Sequence, residues 1–401
     1  MLINTTSDLE NIFEELIAEK PKYIAIDTEF LRNNLTYYPK LSLIQISYER
    51  KNFIIDALVP EIDLSLIKRI ILNQEITKVF HSCRQDIESL FTVFKCIPTP
   101  IFDTQIAAMF CHYYHDFVGY SKIVEQYQGI VLNKIKAKNS NWLKRPLSED
   151  QLDYAISDVV YLYDLHQILY NKLEEKNRID WFQEEMEATV DINQYTRSPK
   201  DAWKRIKFDY KSNPKLMLTI KAVSEWQEII AQRYNVNRSK IIDNAVITKF
   251  IENNIECVDE ILEDLRKNTK NIKEEDLLEF IDIFNENEKD LTQHNNNSII
   301  LNSYDKSVLD ILLIILENEC KKNCISKKLV SSKDELAESI SRKTNKLFKG
   351  WRYDFFGKSI ESFLNESLNI EISVMKSTNN IINIQSNLVI TNPKSKPNAR
   401  N

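Results

Sequence analysis

The sequence predicts a mixed α/β unit over residues 1–175 followed by one or two small all-α units, and three observations carry that prediction. Strand-like runs rich in β-branched and aromatic residues come first, at Tyr23–Phe30, Leu41–Tyr48 and Asn52–Asp56. Helical periodicity then takes over: Ile87, Leu90, Phe91 and Phe94 fall at i, i+3, i+4 and i+7. After Trp181 the strand signal fades, and Leu, Ile, Val and Phe recur only at helical spacing.

Taken in order, Ser7–Ile17 reads as an amphipathic helix opened by an N-cap. The three strands form a meander, its last two joined by a polar turn at Glu49–Lys51. A helix over 63–72 and a short strand at Thr77–His81 follow, then the helix Arg84–Phe94, a strand start at Ile101 and a helix over Thr104–Tyr113. Ser148 and Gln151 are spaced as a capping box, opening a helix that runs to about Leu173. Residues 176–209 read as a linker and 210–288 as a helical domain with helices at Leu216–Tyr234, Ser239–Phe250, Val258–Leu265 and Glu274–Phe284. An Asn-rich polar linker spans 289–304, a second helical unit 305–372 and a loosely ordered tail 373–401.

Composition narrows the function classes. The chain has 401 residues, a net charge of −6 and 28% charged residues, which suits a globular protein and argues against one that coats nucleic acid non-specifically. No apolar run is long enough to span a bilayer, and the first ten residues lack the pattern of a signal peptide. The six cysteines are scattered, as for reduced thiols in a cytoplasmic protein.

The chemistry centres on Asp27 and Glu29. Alternate residues of a strand share a face, so these carboxylates project together from the end of Tyr23–Phe30. Like charges side by side repel, and a hard divalent cation such as magnesium is their natural counter-charge. An isolated D-x-E is a common tripeptide and reads first as a strand running out into a polar turn, so the other acids decide the matter. Asp86 lies near the start of Arg84–Phe94, at the edge of its buried face, where helix-dipole complementarity is the plainer explanation. Tyr154 and Asp158, four apart on the later helix, share one face. Two basic stretches with aromatic neighbours could hold a phosphate backbone. One is Lys134–Arg145, with Lys134, Lys144 and Arg145; the other is Asp201–Ala222, with Trp203, Lys204 and Arg205.

The order D-x-E, then Asp86, then Tyr154-x-x-x-Asp158 resembles the tyrosine-bearing branch of the DEDD 3′–5′ exonucleases. Ile26–Phe30, Thr36–Pro39, Leu43–Ile46, Phe80–His81 with Arg84–Asp86, and Asn141–Leu147 resemble ribonuclease D in particular. Ala202–Lys207 resembles that family's linker, and Gly350–Arg352 with Phe356–Gly357 its second helical unit. Asn133 and Asn141 stand where the family pattern has aspartates. The resemblance implies a ribonuclease H-like mixed sheet followed by HRDC-type helical domains. It also implies two divalent ions, Mg²⁺ or Mn²⁺, with Asp27 bridging both, Glu29 and Asp158 completing the site of the attacking water, and Asp86 holding the other ion largely through water. Tyr154 would orient that water, and Thr28 and Phe30 would border the 3′ nucleotide. The implied substrate is RNA with a single-stranded 3′ end, tRNA precursors above all, with no membrane and no obligatory protein partner. The rival readings are a DNA 3′–5′ exonuclease, which would use the same five residues, and an inactive RNA-binding module.

Overall fold

The computed structural model describes residues 1–132, 140–206, 214–253, 255–268, 272–291, 301–341, 344–364, 369–376 and 382–389. A two-residue strand, β1 (Leu2–Ile3), precedes α1 (Thr6–Glu19), whose first turn is capped by Thr5 accepting from the Asp8 N–H. The meander follows as β2 (Tyr23–Leu31), β3 (Lys40–Tyr48) and β4 (Lys51–Asp56). Glu49 and Arg50 make the tight turn between β3 and β4 with φ of 44° and 67°, the left-handed pair whose twist matches that of the strands it joins.

Beyond the meander come α2 (Ser65–Leu72), β5 (Thr77–Phe80), α3 (Arg84–Phe94), β6 (Ile101–Asp103) and α4 (Thr104–Cys111). The sheet has the order β1-β4-β3-β2-β5-β6, with β2 antiparallel to β3 and parallel to β5. Because β2 and β5 run the same way, the segment that leaves β5 starts α3 beside the end of β2 that carries Asp27 and Glu29. The β2–β3 register slips between Glu29 and Phe30: Glu29 faces Leu43 while Phe30 faces Leu41, leaving Ser42 as the extra residue. Such a bulge bends its strand and re-aims side chains at the sheet's end.

Next are α5 (Tyr120–Gln128), absent from the sequence reading, then α6 (Glu149–Val160) and α7 (Leu162–Glu175). The helix expected from Ser148 to Leu173 breaks at Tyr161. Its two halves bury different faces. Ala155 of α6 packs with Leu43 of β3 and Ile54 of β4, whereas Leu162, Leu165 and Leu169 of α7 join the main core of the sheet. The Ser148–Gln151 capping box is present as expected.

The segment expected to be a linker contains α8 (Ile179–Thr189), whose Phe182 and Met186 enter the main core. The first helical unit comprises α9 (Pro214–Tyr234), α10 (Arg238–Ile241), α11 (Asn244–Glu252), α12 (Val258–Asn268) and α13 (Glu274–Leu291), with Trp226, Phe250 and Phe280 central to its own core. The second comprises α14 (Ser303–Lys322), α15 (Lys327–Val330), α16 (Lys333–Ile340), α17 (Gly350–Arg352) and α18 (Lys358–Leu364).

This second unit shares the core of the sheet domain, and α8 is the seam. Glu185 accepts from both Arg352 amino groups at 2.6 and 2.8 Å and from the Trp351 indole N–H at 2.8 Å. The Trp351 ring stacks on Trp181 at 5.2 Å. Gly350 lies at φ 51°, in the left-handed region that favours glycine, and a Cβ there would oblige the Glu184 carboxylate to shift. Residues 369–389, placed by the sequence reading partly in a loose tail, contain an antiparallel pair, β7 (Asn369–Lys376) and β8 (Ile382–Val389). Alternation of Ile370, Ile372 and Val374 is the period-two signal that the Asn-rich composition hid.

The first helical unit is tied to the sheet domain through one buried acid. Glu228 of α9 (side chain 2% exposed) accepts from Arg205 at 2.9 Å, from Arg238 Nη2 at 2.6 Å, and from the hydroxyl of Tyr37, which lies between β2 and β3. Burial pushes the Glu228 carboxyl up, but its bonds to Arg238 and Tyr37 hold it below the ordinary value of 4.5. Removing it strands two arginines, at a cost of about 3 kcal/mol. Glu228→Ala is therefore expected to unfold at lower urea than wild type at pH 7. Since the folded-state acid is the stronger one, the difference holds above the ordinary glutamate value and shrinks as the pH falls below it. Equal midpoints at pH 7 would contradict this account.

Candidate active site

The end of β2 and the middle of α6 meet over the bulge. Carboxylate oxygens of Asp27, Glu29 and Asp158 all lie within 4.8 Å of one another. Asp86, on the first turn of α3, is 7% exposed and tied to β2: its Oδ1 accepts from the Thr28 hydroxyl at 2.6 Å and from the Thr28 N–H at 3.1 Å. Thr28 therefore orients Asp86. Its hydroxyl proton is spent inside the chain. Phe30 remains half-buried at the bulge.

Charge and burial act together on these acids. Burial raises the Asp27 carboxyl well above the ordinary range, and the neighbouring Asp86, Asp158 and Glu29 push it the same way. Burial likewise lifts Asp86 to about 7, against the opposing bonds from Thr28. For Tyr154, burial and then Asp158, Glu29 and Asp27 raise the phenol, which stays protonated at neutral pH. Tyr154 is consequently a hydrogen-bond donor in the resting chain. Its ring lies 5.9 Å from that of Trp142, which is 3% exposed.

Two further residues support the group from behind. The Tyr120 hydroxyl donates to the carbonyl of Ser157 at 3.1 Å, bracing α6 one residue before Asp158. No spacing in the sequence links Tyr120 to that helix, and the helix it begins went unread. His81 is 5.5 Å from the Tyr120 ring and shares a bond with the Thr104 hydroxyl at 3.0 Å, while burial lowers it to about 4.

The expected substrate contacts separate clearly. Lys144 is exposed, whereas Arg145 is bound to Asp56 at 2.5 Å. Arg205 is committed to Glu228 and Gln227. Lys204 is exposed and paired with Asp201 at 2.5 Å, a surface contact worth little. Trp203 is half-buried, with the Lys221 ammonium 5.6 Å from its ring. Lys134 and Asn133 lie outside the described residues; Asn141 caps its own turn, accepting from the Leu143 N–H at 3.1 Å.

An all-carboxylate set suits a hard divalent cation, and the crowding of Asp27, Glu29 and Asp158 is of the kind such a cation relieves. A family model for 3′–5′ exonucleases matches residues 1–174. The ribonuclease D of Bartonella henselae is 32% identical over 93% of this chain and 92% of its own length, and that of Zymomonas mobilis 33% identical over 84% and 87%. Among solved structures, Escherichia coli RNase D, described as an exoribonuclease involved in structured RNA processing, shares the fold. It has a TM-score of 0.70 and 24% identity, covering 91% of this chain and 98% of that one. Sheet, acids and matching model thus define a 3′–5′ exonuclease. Within that class, the chain belongs to the ribonuclease D family.

Raised carboxyls weaken the metal-free protein as pH rises, because the folded state then holds protons the unfolded state has lost. Asp27→Asn is expected to raise the thermal midpoint of EDTA-treated protein at pH 8, each kcal/mol being worth about 2–4 °C in a unit of this size. The gain should shrink at pH 5. A midpoint that falls at pH 8 would count against crowding at Asp27.

Proposed function

We propose that this enzyme removes nucleotides one at a time from single-stranded RNA 3′ ends, trimming tRNA precursors and other stable RNAs in the cytoplasm and releasing nucleoside 5′-monophosphates. The observation that carries this reading is the convergence of Asp27, Glu29 and Asp158 beside Tyr154, with Asp86 held next to them.

Asp27, Glu29, Asp158 and Asp86 would hold two Mg²⁺ or Mn²⁺ ions, which supply water activation, charge neutralisation at phosphorus and stabilisation of the leaving oxygen. Asp27 would serve both ions, and Glu29 and Asp158 would help hold the one that activates the water. Thr28 keeps Asp86 aimed inward by its two bonds to Oδ1. Tyr154 offers its hydroxyl as a donor that orients the water; its raised phenol is a poor base, so orientation and not proton removal is its task. Lys144, which is exposed, would be free to meet a backbone phosphate. The helical units, read as HRDC-type, would guide structured RNA toward the site.

Incubation with a 3′-extended tRNA in Mg²⁺ tests the reading. Wild type should shorten the 3′ end stepwise and release 5′-monophosphates, and Asp27→Asn or Asp158→Ala should lose roughly 100-fold or more while still binding the RNA. Preference for single-stranded DNA over this RNA would favour the DNA exonuclease reading, and near-normal activity of Asp158→Ala would remove it from the site.

A further inference from the structure

Arg145 reads in the sequence as a phosphate contact, and its surroundings assign it elsewhere. A guanidinium has five N–H donors. Here Nε donates to Asp56 Oδ2 at 2.5 Å and Nη2 to Asp56 Oδ1 at 2.6 Å, a two-pronged fork on one carboxylate. Nη2 also reaches Ser42 Oγ at 3.2 Å, and Nη1 donates to the carbonyls of Trp142 at 2.8 Å and Lys144 at 2.9 Å. Five donors meet five acceptors, so none is left for a phosphate.

The acceptors tie together parts that the chain otherwise leaves separate. Asp56 ends β4, and its side chain is 7% exposed. Ser42 is the extra residue of the bulge, and its hydroxyl donates to the same Trp142 carbonyl at 2.5 Å. The Trp142 carbonyl is thus held from two sides, and the indole of the same residue lies 5.9 Å from the Tyr154 ring. We propose that Arg145 is a positioning residue: with Asp56 and Ser42 it sets Trp142, and Trp142 sets where the Tyr154 hydroxyl stands over the carboxylates. This rests on the reading of Tyr154 as the group that orients the attacking water.

The test compares kcat, KM and the salt dependence of KM on a short single-stranded RNA in Mg²⁺. The variants are Arg145→Lys, Asp56→Asn, Ser42→Ala, Tyr154→Phe and the double variant Arg145→Lys/Tyr154→Phe. Lysine keeps the charge and loses the fork. Arg145→Lys and Asp56→Asn should each lower kcat about ten- to a hundredfold, the scale of a small misplacement at a reacting centre. KM and its salt slope should stay within twofold of wild type. Ser42→Ala, which leaves the ion pair in place, should fall between these and wild type, and it carries the test if the other variants do not fold by near-ultraviolet circular dichroism. In the Tyr154→Phe background, Arg145→Lys should cost little more. A raised KM with a shallower salt slope and normal kcat would make Arg145 a phosphate contact and overturn the proposal; so would losses that multiply in the double variant. If Tyr154→Phe alone keeps full kcat, the reading of Tyr154 fails and the proposal with it. If Tyr154→Phe loses rate while the other variants do not, only the positioning role fails.

Discussion

Crowded negative charge at the end of β2 is the constraint the rest of this structure serves. Asp27, Glu29 and Asp158 stand within 4.8 Å of one another, and Asp86 adds its field to Asp27. A protein left to its own stability would disperse them or neutralise one with a buried lysine. Here the surrounding chain holds them in place instead: Thr28 pins Asp86, Tyr120 braces the turn of α6 before Asp158, and the bulge at Ser42 shapes the strand beside Glu29. Each device opposes the relaxation that repulsion favours. Strain of this kind belongs to function and is offset by the apolar packing beneath the sheet.

The two helical units answer to different forces. The first has its own core and is joined to the sheet domain by charge, around Glu228. The second has no such independence: its Leu316, Trp351 and Phe356 lie in the same apolar cluster as the central strands. Arg178, buried beside α8, donates to the carbonyls of Asn323 at 2.6 Å and Cys324 at 3.2 Å as well as to that of Phe110, closing the end of α14 onto the nuclease.

How much of this was legible in the sequence follows from the range of each interaction. Asp27 and Glu29 could be paired because strand geometry fixes their spacing, and Tyr154 with Asp158 because helix geometry does. The capping box at Ser148 is equally local. The contacts of Arg145 were hidden for the opposite reason. Its partners, Asp56 and Ser42, lie 89 and 103 residues away, and a basic residue next to lysines looks like a phosphate contact until those partners are known. The expected linker failed similarly, since Phe182 and Met186 of α8 have no strong helical stripe until the sheet and the second unit cover them. The break at Tyr161 reflects a choice between two packing surfaces, which periodicity in one helix cannot express.

An ordinary phenol, with a pKa of about 10, is a poor base at neutral pH, so the sequence already reads Tyr154 as a group that orients the water. In the folded chain, burial and three nearby carboxylates raise its phenol, so the proton is retained where a base would have to give it up. A donor fixed over the acids, with its ring set against a buried tryptophan, favours one orientation of a water and disfavours the rest. Divalent charge at the site would lower the phenol again, but it would lower a bound water far more, because that water touches the cation directly. In the proposed reading, bound ions would supply water activation, and Tyr154 would position the water. The clamp on the Trp142 carbonyl belongs to the second task, which is why its loss is expected in kcat and not in the affinity for RNA.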